Sequence, residues 1–265
     1  MSNKGCVMSF QINNNTPAMN TSLNLSLNNK ALDKSLIALS AATKLNQAAD
    51  DAASLSIANG FASQVSQMGQ EIMNMNENVG MLQIADGGMQ GISDNTDRIR
   101  TLTLQASNAS LNADNRASIQ NEINGLMKSS NQIASSTSYN GNHLLDGSRT
   151  GDASADARAS SLFSSPIDVT TQEGATASLD IIDAGMTNIG GIRSSFGASQ
   201  NQLESAIRNI SVGRVNAASS ESQLRDVDFA AESANFSKMN LLSQTGSFAQ
   251  SQSNISALNA MRLLM

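Results

Sequence analysis

Few residues of this chain have the types and spacing that chemistry requires. Asp50 and Asp51 could form an acid–base pair, and His143 is the only histidine. A catalytic triad or a zinc site needs further partners, which the sequence does not offer this histidine. Gly190-Gly191 lacks both the spacing and the lysine of a phosphate-binding loop. We therefore predict no catalytic, metal or cofactor site and no enzyme activity.

The Asp50-Asp51 pair stands in an Ala-rich segment, NQAADDAASLSIANGF (46–61), which has only three large apolar side chains. Such a segment favours a helix but has too little apolar bulk to fill a core by itself. No neighbouring residue would raise a carboxyl pKa or bind a substrate. An acidic pair at the start of a helix complements the helix dipole, and we predict that role for both residues.

The composition predicts long helices and excludes several classes of protein. Aromatic residues make up 3% of the 265 residues, and the only prolines are Pro17 and Pro166, so a long stretch lacks helix-breaking residues. A net charge of −6 argues against nucleic acid as a partner. The sequence has no apolar run long enough to predict a membrane span. Its N-terminus lacks the apolar core of a secretory signal, so any export would use a route without a cleaved signal peptide.

Three stretches carry the heptad spacing of helices that pack along a seam. In the first, apolar residues alternate four and three apart from Phe61 to Leu82, and the series resumes from Ala85 to Ile99 after a shift of one interval. Such a shift changes a supercoil locally. Gly87 and Gly88 beside it predict a bend or a close helix approach.

The second stretch runs from Ile119 to Ile133 and the third from Ile182 to Leu224. The short polar link before the second stretch predicts a helix cap at Asp114 or Asn115 and an antiparallel pair of helices. Some seam positions of the third stretch are polar, including Arg193. In a coiled coil, such residues weaken pairing but fix its register.

Residues 136–178 differ in composition from the helical stretches. Asn140-Gly141 is a strong signal for a tight hairpin turn. Ile167 to Thr171 is predicted as a short strand, and the Ser/Ala/Asp-rich residues 147–165 are predicted as an exposed loop. This region is the one candidate for β structure in the sequence.

Both ends of the chain predict helices with one apolar face and few charges elsewhere. We predict that these helices pack against each other and against other copies of the chain. The predicted subunit-packing residues are Leu25, Leu32, Leu36, Leu39, Phe229, Phe236, Met239, Leu242, Ile255, Leu258, Met261 and Leu264.

Eight stretches, taken in order, resemble bacterial flagellin along nearly the whole chain. They are MSFQINNNTPAMN (8–20), NKALDKSLIALSAATKLNQAADDAASLSIANGF (29–61), TDRIRTLTLQASN (96–108), SIQNEINGLM (118–127), SYNGNHLL (138–145), GASQNQLESAIRNI (197–210), LRDVDFAAESANFSKMNLLSQTGSFAQSQSN (224–254) and LNAMRLLM (258–265). No single stretch is decisive, but their order at both ends is highly specific.

The resemblance implies a mainly α fold: a long antiparallel helical coiled-coil bundle with a small β-hairpin region, whose N- and C-terminal helices pair into an inner coiled-coil domain. Residues 1–50 and 226–265 would form the inner core domain, residues 51–135 and 179–225 the two halves of the bundle, and residues 136–178 the region that replaces the outer domains. Small side chains around Asp50-Asp51 would let helices of adjacent subunits approach closely.

The implied function is a structural subunit that polymerises into the extracellular flagellar filament for motility. The implied partners are other copies of the chain, the flagellar export apparatus, an export chaperone, the filament cap and hook-associated proteins. Arg98, Leu102 and Glu122 match positions that the innate receptor for flagellin, Toll-like receptor 5, contacts in the family. Plain filament packing is the alternative role of those three residues.

The sequence departs from the family pattern in two places. Ala41-Ala42 stands where the family often has Ser-Gly, and the family's start aligns with Met8 rather than Met1. Residues 1–7, including Cys6, are therefore hypothesised to be an upstream extension. Three other functions stay open at this point: a secreted flagellin-like protein that acts on host cells without polymerising, a hook–filament junction protein, and a helical signalling coiled coil.

Overall fold

A computed structural model describes residues 15–148 and 154–264. The hypothesised extension at residues 1–7, with Cys6, and the last residue, Met265, lie outside the described residues. The described part forms helices and one two-stranded antiparallel sheet, which confirms the predicted mainly α fold. In chain order the elements are α1 (Thr16–Ala41), α2 (Ala52–Ala106), α3 (Ala113–Ser136), β1 (Ser138–Tyr139), β2 (Asn142–His143), α4 (Ala159–Leu162), α5 (Gln172–Arg225) and α6 (Phe229–Leu264).

The chain divides into two compact units. The terminal unit contains the described residues up to Val65 and those from Asn216 onward, and the bundle unit runs from Ser66 to Val215. Helices α2 and α5 each contribute residues to both units.

The bundle unit is an antiparallel helical bundle. Arg98 of α2 pairs with Glu122 of α3 at 2.9 Å, and Asn95 donates to Ser130 at 3.1 Å, so residue numbers fall on α2 as they rise on α3. This confirms the predicted antiparallel pair. Helix α3 begins earlier than predicted, because the side chain of Asn112, rather than Asp114 or Asn115, accepts the N–H of Asn115 at 2.8 Å.

The bundle core follows the predicted heptads where they are apolar. We call residues 137–171, between α3 and α5, the connecting region. The largest fully buried side chains of the core come from α2, α3, the connecting region and α5: Leu82, Met89, Ile92, Thr96, Ile99, Thr103, Ile123, Leu144, Leu145, Leu162, Val169 and Ile182. The shift between Leu82 and Ala85 is real, since both residues are buried. Close approach occurs at Gly88, where a Cβ would lie 2.7 Å from the side chains of Leu145 and Thr137.

The connecting region confirms one prediction and corrects two. Strands β1 and β2 form the predicted hairpin around Asn140-Gly141, both residues of which have positive φ, 51° and 78°. The predicted strand Ile167–Thr171 is absent. The side-chain amide of Gln120 on α3, rather than a neighbouring strand, forms hydrogen bonds with the backbone of this segment. Gln120 Nε2 donates to the Ile167 carbonyl at 3.1 Å, and Gln120 Oε1 accepts from the Val169 N–H at 2.7 Å.

Residues 147–165 are not the fully exposed loop that the sequence predicted. Residues 149–153 lie outside the described residues, but Ala157, Leu162 and Phe163 are buried against the bundle. The Ala157 N–H donates to the Leu145 carbonyl at 2.9 Å. Phe163 lies so close to Gly185 of α5 that a Cβ there would collide with its ring. The prediction of an exposed loop rested on the high content of Ser and Ala and gave too little weight to these few apolar side chains.

Candidate subunit-packing surface

The terminal helices α1 and α6 pair within the terminal unit, as predicted, and they run antiparallel. Asn28 Nδ2 donates to the Met239 carbonyl at 2.8 Å, and Asn15 Nδ2 donates to the Ser253 carbonyl at 3.4 Å. Backbone hydrogen bonds close the other end of the pair, where the Lys44 N–H donates to the Arg225 carbonyl at 2.8 Å. Polar side chains therefore take part in the contact between these two helices.

The seam between α1 and α6 is narrow and partly polar. Ser35 is only 2% exposed, and its hydroxyl finds no hydrogen-bond partner among the described residues; the buried Oε1 of Gln250 has none there either. At Gly246, a Cβ would lie 3.1 Å from Leu25 Cδ1, so the helices approach closely there. Burying polar atoms without partners costs free energy, so this seam by itself is a weak source of stability.

The large apolar side chains of the terminal unit lie mostly outside that seam. Leu23, Leu27 and Ile37 fall in one four-three series along α1, and Leu241, Phe248 and Ile255 stand seven residues apart on α6. We call the whole set the terminal apolar surface. It comprises Met19, Leu23, Leu27, Leu36, Ile37, Phe229, Leu241, Leu242, Phe248, Ile255 and Leu258, each between 46% and 72% exposed.

Large exposed apolar side chains that recur along both helices are unusual for a monomer and normally mark places where another molecule binds. Among the other large apolar side chains of the unit, Leu45 is 7% exposed, whereas Ile57 on α2 is 54% exposed. The arrangement can therefore bury apolar area against a partner without any change in the α1–α6 pair.

The structure divides the predicted subunit-packing residues into three groups. Five are exposed members of the terminal apolar surface: Leu36, Phe229, Leu242, Ile255 and Leu258. Five are half-buried: Leu25, Leu32, Leu39, Phe236 and Met239. The side chains of the remaining two, Met261 and Leu264, lie outside the described residues.

Leu36 departs from the single apolar face predicted for α1. The heptad positions of α1 that are buried include Ser35, and Leu36 is 53% exposed. Six further members of the terminal apolar surface were not predicted from the sequence: Met19, Leu23, Leu27, Ile37, Leu241 and Phe248. Their heptad spacing was available as a signal, but Lys30 and Lys34 interrupt the α1 series.

The two aspartates before α2 have different structural roles. Asp51 caps α2, since its carboxylate accepts the N–H groups of Ala53 and Ser54, both at 3.0 Å. Its bonds to Ser54 hold the pKa of this carboxyl below its usual value. This confirms the predicted helix-start role for Asp51.

Asp50 lies in the turn that precedes α2 rather than at the helix start. Its carboxylate accepts the N–H groups of Asn46 and Gln47 at 3.2 and 3.1 Å, and it pairs with Lys34 at 2.7 Å. Lys34 and these backbone donors lower the pKa of Asp50. Asp50 thus ties the turn before α2 to helix α1.

The other residues that were considered for catalysis or ligand binding lie apart from one another. His143 is exposed in β2, and Gly190-Gly191 occupies exposed positions inside α5. Within residues 15–148 and 154–264, no group of three or more His, Cys, Asp or Glu residues could hold a metal ion. No helix in the same part is long and apolar enough to cross a membrane.

Arg98, Leu102 and Glu122 do not form one exposed patch. Arg98 Nη2 lies 2.9 Å from Glu122 Oε1, and about half of each side chain is exposed. Leu102 is 3% exposed and packs in the bundle core. Its side chain therefore stabilises the bundle and is not offered to a partner, which corrects the prediction for this residue.

Comparison with known proteins gives matches over nearly the full chain. The model of the bacterial flagellin N-terminal helical region matches residues 12–150, and that of the C-terminal helical region matches residues 179–264. The flagellin of Bacillus subtilis strain 168 is 30% identical, covering 96% of this chain and 100% of the relative. The flagellar filament 31.3 kDa core protein of Treponema maltophilum is 28% identical, covering 96% of this chain and 99% of the relative. A crystal structure of Bacillus cereus flagellin aligns with 22% identity and a TM-score of 0.47 over 52% of this chain and 88% of that chain.

Proposed function

Because this chain belongs to the bacterial flagellin family and is a structural subunit of the flagellar filament, we propose that its terminal apolar surface packs against other copies. One observation carries the proposal: eleven large apolar side chains, 46% to 72% exposed, lie on two helices whose mutual seam is partly polar. A monomer gains nothing from this arrangement, whereas a polymer buries it.

Burial of the terminal apolar surface supplies the free energy of assembly. At about 25 cal/mol per Å², a few hundred Å² of apolar area per contact contributes several kcal/mol before the cost of association. The contact joins different faces of successive copies and does not close on itself, which is the geometry that produces a filament. A secreted non-polymerising protein, a junction protein and a signalling coiled coil are not favoured, since relatives named as flagellin and filament core protein match 96% of the chain.

The packing role is tested by Leu27→Gln with Ser26→Gln as its matched control. Leu27 is 55% exposed, and Gln has nearly the helix propensity of Leu, so the monomer should keep its fold. Elongation of short filament seeds should have a critical concentration at least tenfold higher for Leu27→Gln, because a buried amide would replace an apolar contact. Ser26→Gln changes an exposed polar neighbour and should elongate like the parent chain.

A truncation gives an independent test. Deleting residues 258–265 should leave the circular-dichroism spectrum helical and abolish elongation, because it removes exposed Leu258 and the apolar end of the chain. Normal filaments from the truncated chain, or from Leu27→Gln, would refute the proposed role of the terminal apolar surface.

We further propose a thin filament without an outer shell. Residues 136–178 stand in for the outer domains of longer flagellins, and the described part of this region lies against the bundle core. Electron micrographs should show smooth filaments, and projecting density at regular subunit spacing would contradict this expectation. We keep residues 1–50 and 226–265 as the proposed inner core domain and residues 51–135 and 179–225 as the bundle, boundaries that limited proteolysis would locate.

The route to the filament is also a proposal. The family resemblance supports export of the unfolded chain by the flagellar export apparatus, aided by a chaperone, with refolding beneath the filament cap and beside the hook-associated proteins. No cleaved signal peptide is needed in this route. Secretion of the chain with its N-terminus intact should stop in a strain that lacks the export apparatus, and continued secretion would contradict the route.

Arg98 and Glu122 are proposed contacts for Toll-like receptor 5, on the strength of their resemblance to family positions and their exposure. Arg98→Ala should reduce receptor binding by the monomer. Arg100→Ala is the matched control, since Arg100 lies on the same helix and makes a comparable ion pair with Asp183 at 2.7 Å. Equal binding by both variants and the parent chain would leave filament packing as the role of Arg98.

A further inference from the structure

The exposed methionines of this chain are unevenly placed. Among those whose side chains the structure describes, Met19 is 62% exposed and Met73 is 55% exposed, whereas Met89 is fully buried. Met19 belongs to the terminal apolar surface, on the same helix as Leu23 and Leu27. Met73 lies on α2 in the bundle unit and is not part of that surface.

We propose that Met19 is an oxidation site at which a peroxide stops assembly of the chain; this rests on the packing role proposed above. The Met19 sulfur attacks one oxygen of hydrogen peroxide, an S=O bond forms and the O–O bond breaks. The departing hydroxide takes the proton from the transferred oxygen and leaves as water, so the thioether is oxidised by two electrons and the peroxide is reduced.

The sulfoxide acts on assembly rather than on the fold. In the free chain the new oxygen is solvated, since Met19 is exposed and makes no contribution to the buried core. In a filament the same oxygen would be buried beside the aliphatic side chain of Leu23, which lies one turn further along α1 and has no hydrogen-bond donor. Burying a strong acceptor without a donor should raise the critical concentration for elongation by roughly tenfold or more.

The geometry also predicts that assembly protects the site. Met19 reacts in the free chain, where it is accessible, and is shielded once neighbouring copies cover the terminal apolar surface. Oxidation then selects against damaged subunits before they are added and spares those already in the filament. A sulfoxide reductase with a thiol would restore a damaged subunit.

The experiment treats the full-length parent chain, Met19→Leu and Met73→Leu with hydrogen peroxide. Peptide mass spectrometry measures the sulfoxide at each methionine, and seeded elongation of each treated sample is compared with its own untreated sample. Oxidation should raise the critical concentration of the parent and of Met73→Leu by about tenfold. It should leave that of Met19→Leu within twofold of its untreated value. Preformed filaments should carry less Met19 sulfoxide than free chains after equal treatment.

Three results would overturn the proposal. Parent chain that is stoichiometrically oxidised at Met19 could elongate normally, or Met19→Leu could be inhibited as strongly as the parent. Equal Met19 oxidation in filaments and free chains would show that assembly does not cover the residue. Failure of the untreated parent to elongate would refute the packing surface itself, and so the two proposals fail in distinguishable ways.

Discussion

Ala42 adopts a backbone conformation that residues other than glycine usually avoid. It caps α1 with φ 55° and ψ 18°, in the left-handed region where a Cβ meets the following carbonyl. Its carbonyl accepts the Val227 N–H at 3.2 Å, so the conformation helps to join the two ends of the terminal unit. The alanine at this position, where the sequence departs from the family pattern, therefore carries strain.

Ala42→Gly should stabilise the terminal unit by about 1 kcal/mol, because glycine relieves this strain. Ala41→Gly makes the same chemical change one residue earlier, at the last position of α1, and should destabilise it by about 0.5–1 kcal/mol. Thermal unfolding followed by circular dichroism measures both. A loss of stability in Ala42→Gly would show that the left-handed conformation carries no net strain.

At the scale of elements, α2 contacts the connecting region through Gly88. This glycine lies beside the heptad shift, and only a hydrogen fits between α2 and the side chains of Thr137 and Leu145. Gly87, its neighbour in the chain, has no heavy atom within 4 Å of the position of a Cβ. Substitutions at these two glycines therefore distinguish the effect of side-chain packing on stability from the effect of helix propensity.

Gly88→Ala should destabilise the bundle unit by about 1–3 kcal/mol, since the methyl group overpacks a contact that has no room for it. Gly87→Ala should stabilise the same helix by about 0.5–1 kcal/mol, because alanine is the better helix former and its methyl points into open space. Urea unfolding of both variants tests the pair. If the two changes had the same sign, backbone propensity rather than packing would control this part of α2.

At the scale of the whole molecule, the two units differ in how much apolar surface they bury. The bundle unit contains the large buried cluster around Met89, Ile92 and Ile99, whereas the buried apolar residues in the described part of the terminal unit are Leu45 and a few alanines. Local opening costs least where few apolar contacts must be broken.

Amide hydrogen exchange of the free chain should therefore be fast in α1 and α6 and slow in α2 from residue 89 to 103. Protection in the slow segment should exceed that in α1 by at least a hundredfold, and filament assembly should remove most of the difference. Uniform protection in the free chain would show that the α1–α6 pair is stable without other copies.

Much of the architecture was predictable because heptad spacing and turn chemistry are local signals. The three heptad stretches and the shift between Leu82 and Ala85 were predicted from spacing, and the hairpin was predicted from the Asn140-Gly141 dipeptide. The predicted strand from Ile167 to Thr171 failed for a non-local reason. Its backbone forms hydrogen bonds with the side chain of Gln120, which lies about 47 residues earlier in the chain. No local sequence pattern predicts such a contact.

The sequence by itself determined the mainly α class, the antiparallel bundle, the helix-start position of Asp51 and the flagellin family, because helix propensity, heptad periodicity and the order of motifs can be recognised without knowledge of contacts. Only the tertiary structure decided which face of α1 turns inward. Two heptad frames compete there, one through Ser35 and one through Leu36, and the packing of α6 selects the frame that buries the serine. Since a periodicity of this kind fits either frame, the exposed face becomes known only once the partner helix is in place.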